Sequence, residues 1–320
     1  MNDRDLLLHL AEGPRSGSEL ARAFGLTRAA VWKRIQSLRE AGIGILARPG
    51  TGYVLETPLD LLDAARIQSD LPADAAREIA TCELAWRIDS TNAELLRRPA
   101  SPRLQVLLAE SQTAGRGRRG RAWASPLAAH LYLSMQRRFD GGIAALSGLS
   151  IAVGVATAET LRALGFPMVG LKWPNDLVAN DRKLGGILIE FGGEESGIVR
   201  AVIGVGINVR MPAAAARGID QPWTDLQQLG PCVPSRNALA SALIAALARA
   251  LRAFAEGGLG PFLARWNALD ALDGRAIEVI TGARREPGIA LGIDARGALR
   301  VRHADAERSY HSAEISVRAA

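Results

Sequence analysis

The chain has 320 residues, 48% of them hydrophobic and 22% charged, which excludes a disordered or fibrous protein and predicts two or three globular domains. Its net charge of +6 favours an anionic partner, such as nucleic acid, a phosphate ligand or an acidic protein, without distinguishing among them. Two distant cysteines exclude a disulfide framework and indicate a reducing cytoplasm, and the four histidines form no zinc-binding motif.

The N-terminal segment is predicted to be a winged helix-turn-helix domain over residues 1–64. Apolar residues recur at helical spacing in two short segments, at Leu6, Leu7 and Leu10 and then at Leu20, Ala21 and Phe24. Thr27 is a good N-cap for a third helix that stops at Gly42. Two short strands joined by a Gly/Pro turn follow, and a linker begins near Pro58.

The third helix and the wing are basic, which indicates a DNA contact. From Arg28 to Arg48 there are five basic residues and one acid, Glu40, as expected where a recognition helix and a wing meet phosphates. The candidate DNA-binding residues are Arg28, Lys33 and Arg34. A solvated basic face on an amphipathic helix is the alternative.

Residues 65–270 mix strand-like and helix-like segments and are predicted to form an α+β or mixed α/β domain with a sizeable sheet. The predicted strands are Val106–Ala109, Leu131–Met135, Met168–Lys172, Gly186–Phe191 and Val199–Val209, and the predicted helices are Ile151–Leu164 and Ala238–Glu256. The uncharged stretch 141–158 is long enough to span a membrane, but its four glycines favour a buried helix, so no membrane span is expected.

Residues 271–320 change character again. Short β-type runs recur at near-regular spacing and are broken by glycine and aspartate; they are Ala276–Ile280, Ile289–Ile293, Ala298–Arg302 and Glu314–Val317. This pattern predicts a small β-barrel as a third domain.

The most unusual segment is GRGRRGR at residues 115–121, which places four arginines among seven residues. Arginine offers a planar fork of donors to an anion, and the glycines let backbone N–H groups approach a phosphate. The string also matches the dinucleotide fingerprint GxGxxG, but Pro126 follows soon after, where that fold needs a helix. A solvated basic loop is the plain alternative.

Three further segments carry groups suited to anion or metal binding. KWPND at 172–176 delivers an amide and a carboxylate that could hold Mg²⁺, or that could merely close a turn. Lys183 precedes two glycines and a buried strand; it could bridge two anions, or be an ordinary surface lysine. Glycines 204 and 206 in the apolar run GVGINV indicate close approach by a ligand or another backbone, or a bulge.

These segments and two others occur in the order and spacing of one family. IDSTN at 88–92, ESQTAGRGRRGRAW at 110–123, KWPND, RKLGGILIE at 182–190 and GVGINV resemble the motifs of biotin protein ligases. With the winged helix ahead of them, the whole chain resembles the bacterial proteins that are both biotin ligase and biotin operon repressor. Ala313 departs from the family, which often has glycine before the following glutamate.

The resemblance implies a central class II synthetase-like fold and a C-terminal SH3-like barrel. It implies a site for ATP, biotin and biotinyl-5'-AMP lined by Ser90, Thr91, Asn92, Gln112, Gly115, Arg116, Gly117, Arg118, Trp123, Lys172, Lys183, Gly185, Gly186, Gly204, Gly206, Asn208 and Trp223, the last as an adenine-stacking residue.

In the implied mechanism the carboxylate of biotin attacks the α-phosphate of ATP, and positive charge must gather where two anions meet. Lys183, Arg116 and Arg118 are expected to supply it, with Mg²⁺ near Asn175, Asp176 and Asn208. Asp176 is the candidate acceptor for the proton of the attacking lysine of a biotin carboxyl carrier protein.

The resemblance also implies operator DNA as a partner and a homodimer when biotinyl-AMP is bound. A lipoate or octanoyl ligase is the nearest enzymatic alternative, and a repressor that senses biotin without ligating it is the alternative of another class.

Overall fold

The computed structural model describes residues 3–195, 197–282, 284–311 and 316–319. The helices are α1 Asp3–Ala11, α2 Gly17–Phe24, α3 Arg28–Glu40, α4 Ala64–Ser69, α5 Ala73–Glu78, α6 Thr91–Arg97, α7 Leu149–Ala163, α8 Ala213–Ala216, α9 Leu226–Leu229, α10 Arg236–Gly257 and α11 Leu263–Asn267. The strands are β1 Ile45–Arg48, β2 Gly52–Leu55, β3 Ile79–Ala85, β4 Leu104–Ala109, β5 Leu131–Asp140, β6 Gly170–Lys172, β7 Asp176–Ala179, β8 Arg182–Glu195, β9 Ile198–Ile207, β10 Ala276–Thr281, β11 Arg284–Ile293, β12 Leu299–Arg302, β13 Glu307–Tyr310 and β14 Ser316–Ala319.

The N-terminal residues form the predicted three helices and a wing. Helix α2 has a capping box, in which Ser16 and Glu19 each satisfy the backbone N–H of the other, and α3 is capped by Thr27 as predicted. The wing is the antiparallel hairpin of β1 and β2. The apolar residues that the helical spacing singled out pack together as one buried core, joined by Val31, Ile35, Leu38, Ile43 and Ile45.

The central domain is built on a seven-stranded sheet in the order β3-β4-β5-β9-β8-β7-β6. Strands β3 and β4 are parallel and the other neighbours are antiparallel. Helices α7 and α10 pack on this sheet. Two apolar helical segments, Ile143–Ala163, which contains α7, and Arg236–Gly257, which is α10, are long enough to span a membrane, but more than half of each apolar window is buried. The expected buried helix near 141–158 is therefore confirmed, although it begins later, at Leu149.

The C-terminal residues form a five-stranded antiparallel sheet in the order β13-β12-β11-β10-β14. Its buried residues, among them Ile277 and Val301, continue the core of the central domain. Ala313 and Glu314, where the chain departs from the ligase motif, lie outside the described residues. The α+β class with its three units is confirmed.

The linker between the first two units is packed. Leu59 and Leu61 contact the N-terminal core, whereas Leu62 is fully buried in the central one. Helix α4 then begins directly after its cap, Asp63. The domain boundaries at 64/65 and 270/271 stay predictions, and the first of them falls inside α4, one residue after its start.

Candidate active site

Two of the predicted motifs meet at the carboxyl ends of the parallel strands β3 and β4. Because these ends lie at the same edge of the sheet, the chain after β3 runs beside the chain after β4, and the Thr113 N–H donates to the carbonyl of Ile88 at 2.8 Å. Ser90 caps α6 through its side chain. The side chain of Thr91 lies 3.1 Å from Oε1 of Gln112, which also accepts from the Thr91 backbone N–H at 2.9 Å.

A buried hydrogen-bond network connects Thr91 to residues of strands β5 and β8. Ser134, from the middle of β5, lies 2.7 Å from the Thr91 hydroxyl and 2.6 Å from Oδ1 of Asn92. The Asn92 amide donates to Glu190 of β8 at 2.8 Å. Sequence reasoning missed Ser134 and Glu190. The available signal was a polar residue inside an apolar strand, since such a group needs a partner when it is buried.

The arginine segment forms a tight loop that closes over the same edge. The Trp123 N–H donates to the Gly115 carbonyl at 2.9 Å, and the Gly117 N–H to the Arg121 carbonyl at 2.8 Å. Between them lies a single 3-10 turn, Arg118–Gly120, and the chain then runs to β5 without an α-helix. The dinucleotide-fold alternative is therefore wrong, since it requires a helix directly after the glycines.

Two arginines of the loop reach polar groups of the neighbouring motifs. Nη2 of Arg116 lies 3.4 Å from Glu190, and Nη1 of Arg118 lies 3.4 Å from Oδ1 of Asn175. Burial and the adjacent charge of Arg119 lower the pKa of Arg118, and the nearby carboxylate of Asp176 acts in the opposite direction.

Lys183 lies at the centre of the arrangement. Its Nζ is 2.7 Å from Oδ1 of Asp176, and both side chains are largely buried, with 20% and 23% exposed. The same Nζ lies 5.7 Å from the ring centroid of Trp123. Since Asp176 follows Asn175 directly, Lys183 and Arg118 of the arginine loop reach two adjacent residues and belong to one cluster of side chains. The predicted convergence of Lys183 with the arginine segment is thus present in the geometry.

Glycines of β8 and β9 let the side chains of Trp123 and Asn92 pack directly against the strand backbones. A Cβ added to Gly206 would lie 2.8 Å from the indole of Trp123, and one on Gly186 would lie 3.3 Å from it. A Cβ on Gly204 would meet Asn92 at 2.5 Å. The close approach that these glycines predicted is therefore real, but the neighbours are side chains of this chain. Nε1 of Trp123 is buried without a partner among the described residues, so this N–H is available to donate a hydrogen bond to a ligand.

The remaining predicted residues border this cluster. The backbone of Lys183 pairs with the segment that carries Trp223, by hydrogen bonds to Pro222 and from Thr224. The Asn208 amide donates to the carbonyl of Thr224 at 3.0 Å and so braces this segment. Lys172 lies opposite Asp176 in the β6–β7 hairpin. Gly185 faces the carbonyl of Gly206, where a Cβ would lie at 2.6 Å.

A buried ionic network lies behind the arginine loop. Glu110, the residue that follows β4, is fully buried and pairs with Arg236 at 2.8 Å. Arg236 also donates to the carbonyls of His130 and Asp60, and Glu110 accepts the Leu62 N–H at 2.6 Å. The network therefore fixes the linker from the N-terminal domain to the residue at which the active-site loop begins.

The imidazole of His130 in this network gives a prediction about pH. Burial, with the nearby charge of Arg236, lowers its pKa from 6.5 to about 3, and Nδ1 accepts the Val209 N–H. Because the unfolded chain binds this proton near pH 6.5, the folded state loses stability as the pH falls from 6.5 towards 3. Between pH 6.5 and pH 5 the wild type should lose about 2 kcal/mol of unfolding free energy through this group. His130→Asn lacks the imidazole and should not show this loss.

Urea unfolding of the two proteins across this range measures the difference. Burial raises the pKa of Asp270 to about 6, which acts in the opposite direction, but both proteins share that group. Parallel unfolding free energies for wild type and His130→Asn over this range would contradict the assignment.

On the N-terminal domain, Arg28 and Lys33 are exposed on α3. Arg34 instead lies 3.4 Å from Asp3 of α1, so its charge is partly engaged within the domain. Arg39 is engaged as well, since Nε donates to the Ile45 carbonyl at 2.8 Å. Helix α3 therefore exposes basic side chains as predicted, and Arg28 and Lys33 are the two that are not engaged in the contacts described above.

Three family models match the chain in the order of its domains. An HTH domain matches residues 4–54, the Biotin/lipoate A/B protein ligase family matches 84–208, and the Biotin protein ligase C terminal domain matches 274–318. Among solved structures, a biotin protein ligase from Aquifex aeolicus matches with a TM-score of 0.62 at 22% identity, covering 75% of this chain and 99% of that one. That likeness establishes the fold.

Curated relatives match over nearly the full length. The bifunctional ligase/repressor BirA of Salmonella typhimurium is 43% identical over 98% of this chain and 97% of the relative, and that of Escherichia coli is 42% identical over the same shares. A biotin--[acetyl-CoA-carboxylase] ligase of Mycobacterium tuberculosis is 39% identical over 66% of this chain and 79% of its own length. The chain therefore belongs to the family of bifunctional biotin ligase/repressors.

Proposed function

We propose that this chain joins biotin to a lysine of a biotin carboxyl carrier protein by way of biotinyl-5'-AMP, and that it represses biotin synthesis genes when the adenylate is bound. The observation that carries the enzymatic part is the cluster formed by Lys183, Asp176, Trp123 and the arginine loop. Family membership supports ATP and biotin as the substrates.

In the first step an oxygen of the biotin carboxylate attacks the α-phosphorus of ATP, an acyl–phosphate bond forms, and pyrophosphate leaves. Two anions approach each other, so the barrier is largely electrostatic. Lys183 and Arg118 are half-buried, and the more exposed Arg116 lies beside them. Their charge stabilises the phosphate as the new bond forms. The loop over the product excludes water from the mixed anhydride.

In the second step the lysine amine of the carrier attacks the acyl carbon, an amide forms and AMP leaves. The attacking amine must lose a proton, and Asp176 is our candidate acceptor. Its contact with Lys183 holds the carboxylate in place. Ser90, Thr91, Asn92 and Gln112 are proposed to bind biotin, and Trp223 the adenine.

We include Mg²⁺ as a companion of ATP. No group of three acidic, histidine or cysteine side chains in the described part of the chain could hold a metal alone. Asn175 and Asp176 offer an amide and a carboxylate, which suits Mg²⁺ that takes its other ligands from phosphates and water. When bound, the ion would neutralise phosphate charge. Asn208 is the weaker candidate, since its amide braces the segment of Trp223.

For the repressor part, we propose a cytoplasmic protein that pairs as a homodimer once biotinyl-AMP is bound. A two-fold operator requires two winged helices, and ordering of the ligand loops could complete a dimer surface. Sedimentation with and without the adenylate tests this: an increase in mass on binding is expected, and an unchanged mass would contradict it.

The DNA contacts lead to a second prediction. Arg28→Ala combined with Lys33→Ala removes two exposed charges, so binding to an operator duplex should weaken and its salt slope should fall by about 2. Ligation should be unchanged because both residues lie on α3. Gel shifts at several salt concentrations, with a carrier assay on the same preparations, check both statements. Unaltered binding by the double variant would refute the assignment.

The experiment that tests the proposed function is incorporation of labelled biotin into a carrier fragment. Incorporation that requires ATP is expected, and labelled lipoate should not be transferred. Transfer of lipoate would favour a lipoate ligase, and adenylate-free binding of biotin without transfer would favour a pure sensor.

A further inference from the structure

The outer face of the recognition helix carries a large aromatic side chain that packing does not explain. Helix α3 buries Val31, Ile35 and Leu38 in the N-terminal core. Trp32, on the flank of this buried face, is 53% exposed. An exposed tryptophan contributes little to the fold, and its rigid aromatic area is suited to contact with a partner.

Trp32 is held in place by Gln36, one helical turn away. With the Gln36 amide in the orientation that satisfies its neighbours, Oε1 accepts from Nε1 of Trp32 at 3.2 Å and from Nη1 of Arg39 at 3.0 Å. Arg39 is itself fixed to the wing through the Ile45 carbonyl. The indole is thereby oriented before any partner binds, which lowers the entropy lost in recognition.

The charges around Trp32 indicate which partner the face fits. Arg28 and Lys33 are exposed, and within the described residues neither forms an ion pair, whereas Arg34 is paired with Asp3. The wing adds the exposed Arg48. Cations on both sides of a rigid apolar group match duplex DNA, in which phosphates flank a groove that displays the C5-methyl group of thymine.

We propose that Trp32 reads thymine methyl groups in the major groove, with Gln36 as the residue that positions its indole. In this arrangement Arg28 and Lys33 set the depth of α3 by phosphate contacts, and Trp32 supplies base discrimination. The proposal rests on the proposed DNA-binding function and adds to it the base and the chemical group that are read.

The test uses duplexes that the full-length protein selects from a random pool in the presence of biotin and ATP. Each thymine in a selected duplex is then replaced in turn by deoxyuridine, which removes only the methyl group. We expect at least one position in each half-site at which wild-type affinity falls, by roughly 3- to 10-fold, the effect of removing one buried methyl contact. Trp32→Ala should weaken binding similarly and should no longer respond to deoxyuridine there.

Three variants separate base reading from other roles. Lys33→Ala should keep the deoxyuridine response and lower the salt slope by about 1, whereas Trp32→Ala should leave the slope unchanged. Gln36→Leu should reduce the deoxyuridine response because it frees the indole. Leu8→Ala is the matched control, since Leu8 is an exposed apolar residue of α1 in the same domain, and it should change neither quantity.

The outcomes are distinguishable. If no deoxyuridine substitution affects wild type, or if Trp32→Ala still responds to it, the proposal is wrong while DNA binding stands; the wild-type scan decides this even if the variant folds poorly. If Trp32→Ala instead loses affinity equally for selected and scrambled duplexes, Trp32 is a general contact only. If wild type selects no duplex, the proposed DNA-binding function itself fails, and this inference with it.

Discussion

Lys183→Ala is expected to lower the rate of biotin-dependent exchange between pyrophosphate and ATP by at least about 10²–10³-fold, the usual effect of removing a preorganised group that stabilises transition-state charge. The reason lies in its position, since Nζ is 2.7 Å from Asp176 and 5.7 Å from the ring centroid of Trp123. Without it, Asp176 would place an uncompensated negative charge where two anions must meet.

The exchange assay needs controls that separate chemistry from folding. Arg249→Ala removes the cation of an exposed ion pair between Arg249 of α10 and Asp74 of α5, and it should leave exchange unchanged. Lys183→Arg keeps the charge but not the compact ammonium, so we expect partial activity. Near-normal exchange by Lys183→Ala, with an unaltered melting curve, would remove Lys183 from the role.

Arg236→Met is expected to cost the protein about 3–5 kcal/mol of unfolding free energy, because it leaves the fully buried carboxylate of Glu110 without its partner. The pair lies where α10, the linker and the start of the active-site loop meet. An ion buried there has no access to water, so its desolvation is no longer offset.

A matched control exists on the same helix. Arg249→Met breaks an exposed ion pair with Asp74 and should cost no more than about 1 kcal/mol. Removal of both charges, in Glu110→Gln with Arg236→Met, should recover part of the loss. Urea unfolding measures all three, and similar losses for Arg236→Met and Arg249→Met would show that the buried pair does not hold the linker in place.

Much of the fold could be predicted because local patterns determine it. Thr27 was identified as the cap of α3, and the apolar spacing of α1 and α2 identified their buried faces. Strand Met168–Lys172 was predicted too long, since only Gly170–Lys172 is paired with β7. The short helices α4, α5 and α6 were not predicted, because six or seven residues carry too little periodicity to detect.

The contacts within the candidate site could not be predicted from the sequence, and its membership stays a prediction. The glycines at 204 and 206 showed that something approaches closely, but a missing side chain cannot tell whether the neighbour is a ligand or, as here, Asn92 and Trp123. The pairing of Glu110 with Arg236 could not be predicted, since the two residues lie 126 positions apart and Arg236 belongs to no motif. Contacts of that kind depend on the sheet order, which local spacing does not encode.

The central claim is that the clustered cations Lys183, Arg116 and Arg118 promote the reaction of a biotin carboxylate with the α-phosphate of ATP. It is tested most directly by acid quenching of the protein after incubation with ATP labelled at the α-phosphate, without any carrier and with either biotin or lipoate. The account predicts labelled biotinyl-AMP from wild type, no lipoyl-AMP, and no adenylate from Lys183→Ala. Adenylate made only from lipoate, or made equally well by Lys183→Ala, would contradict it.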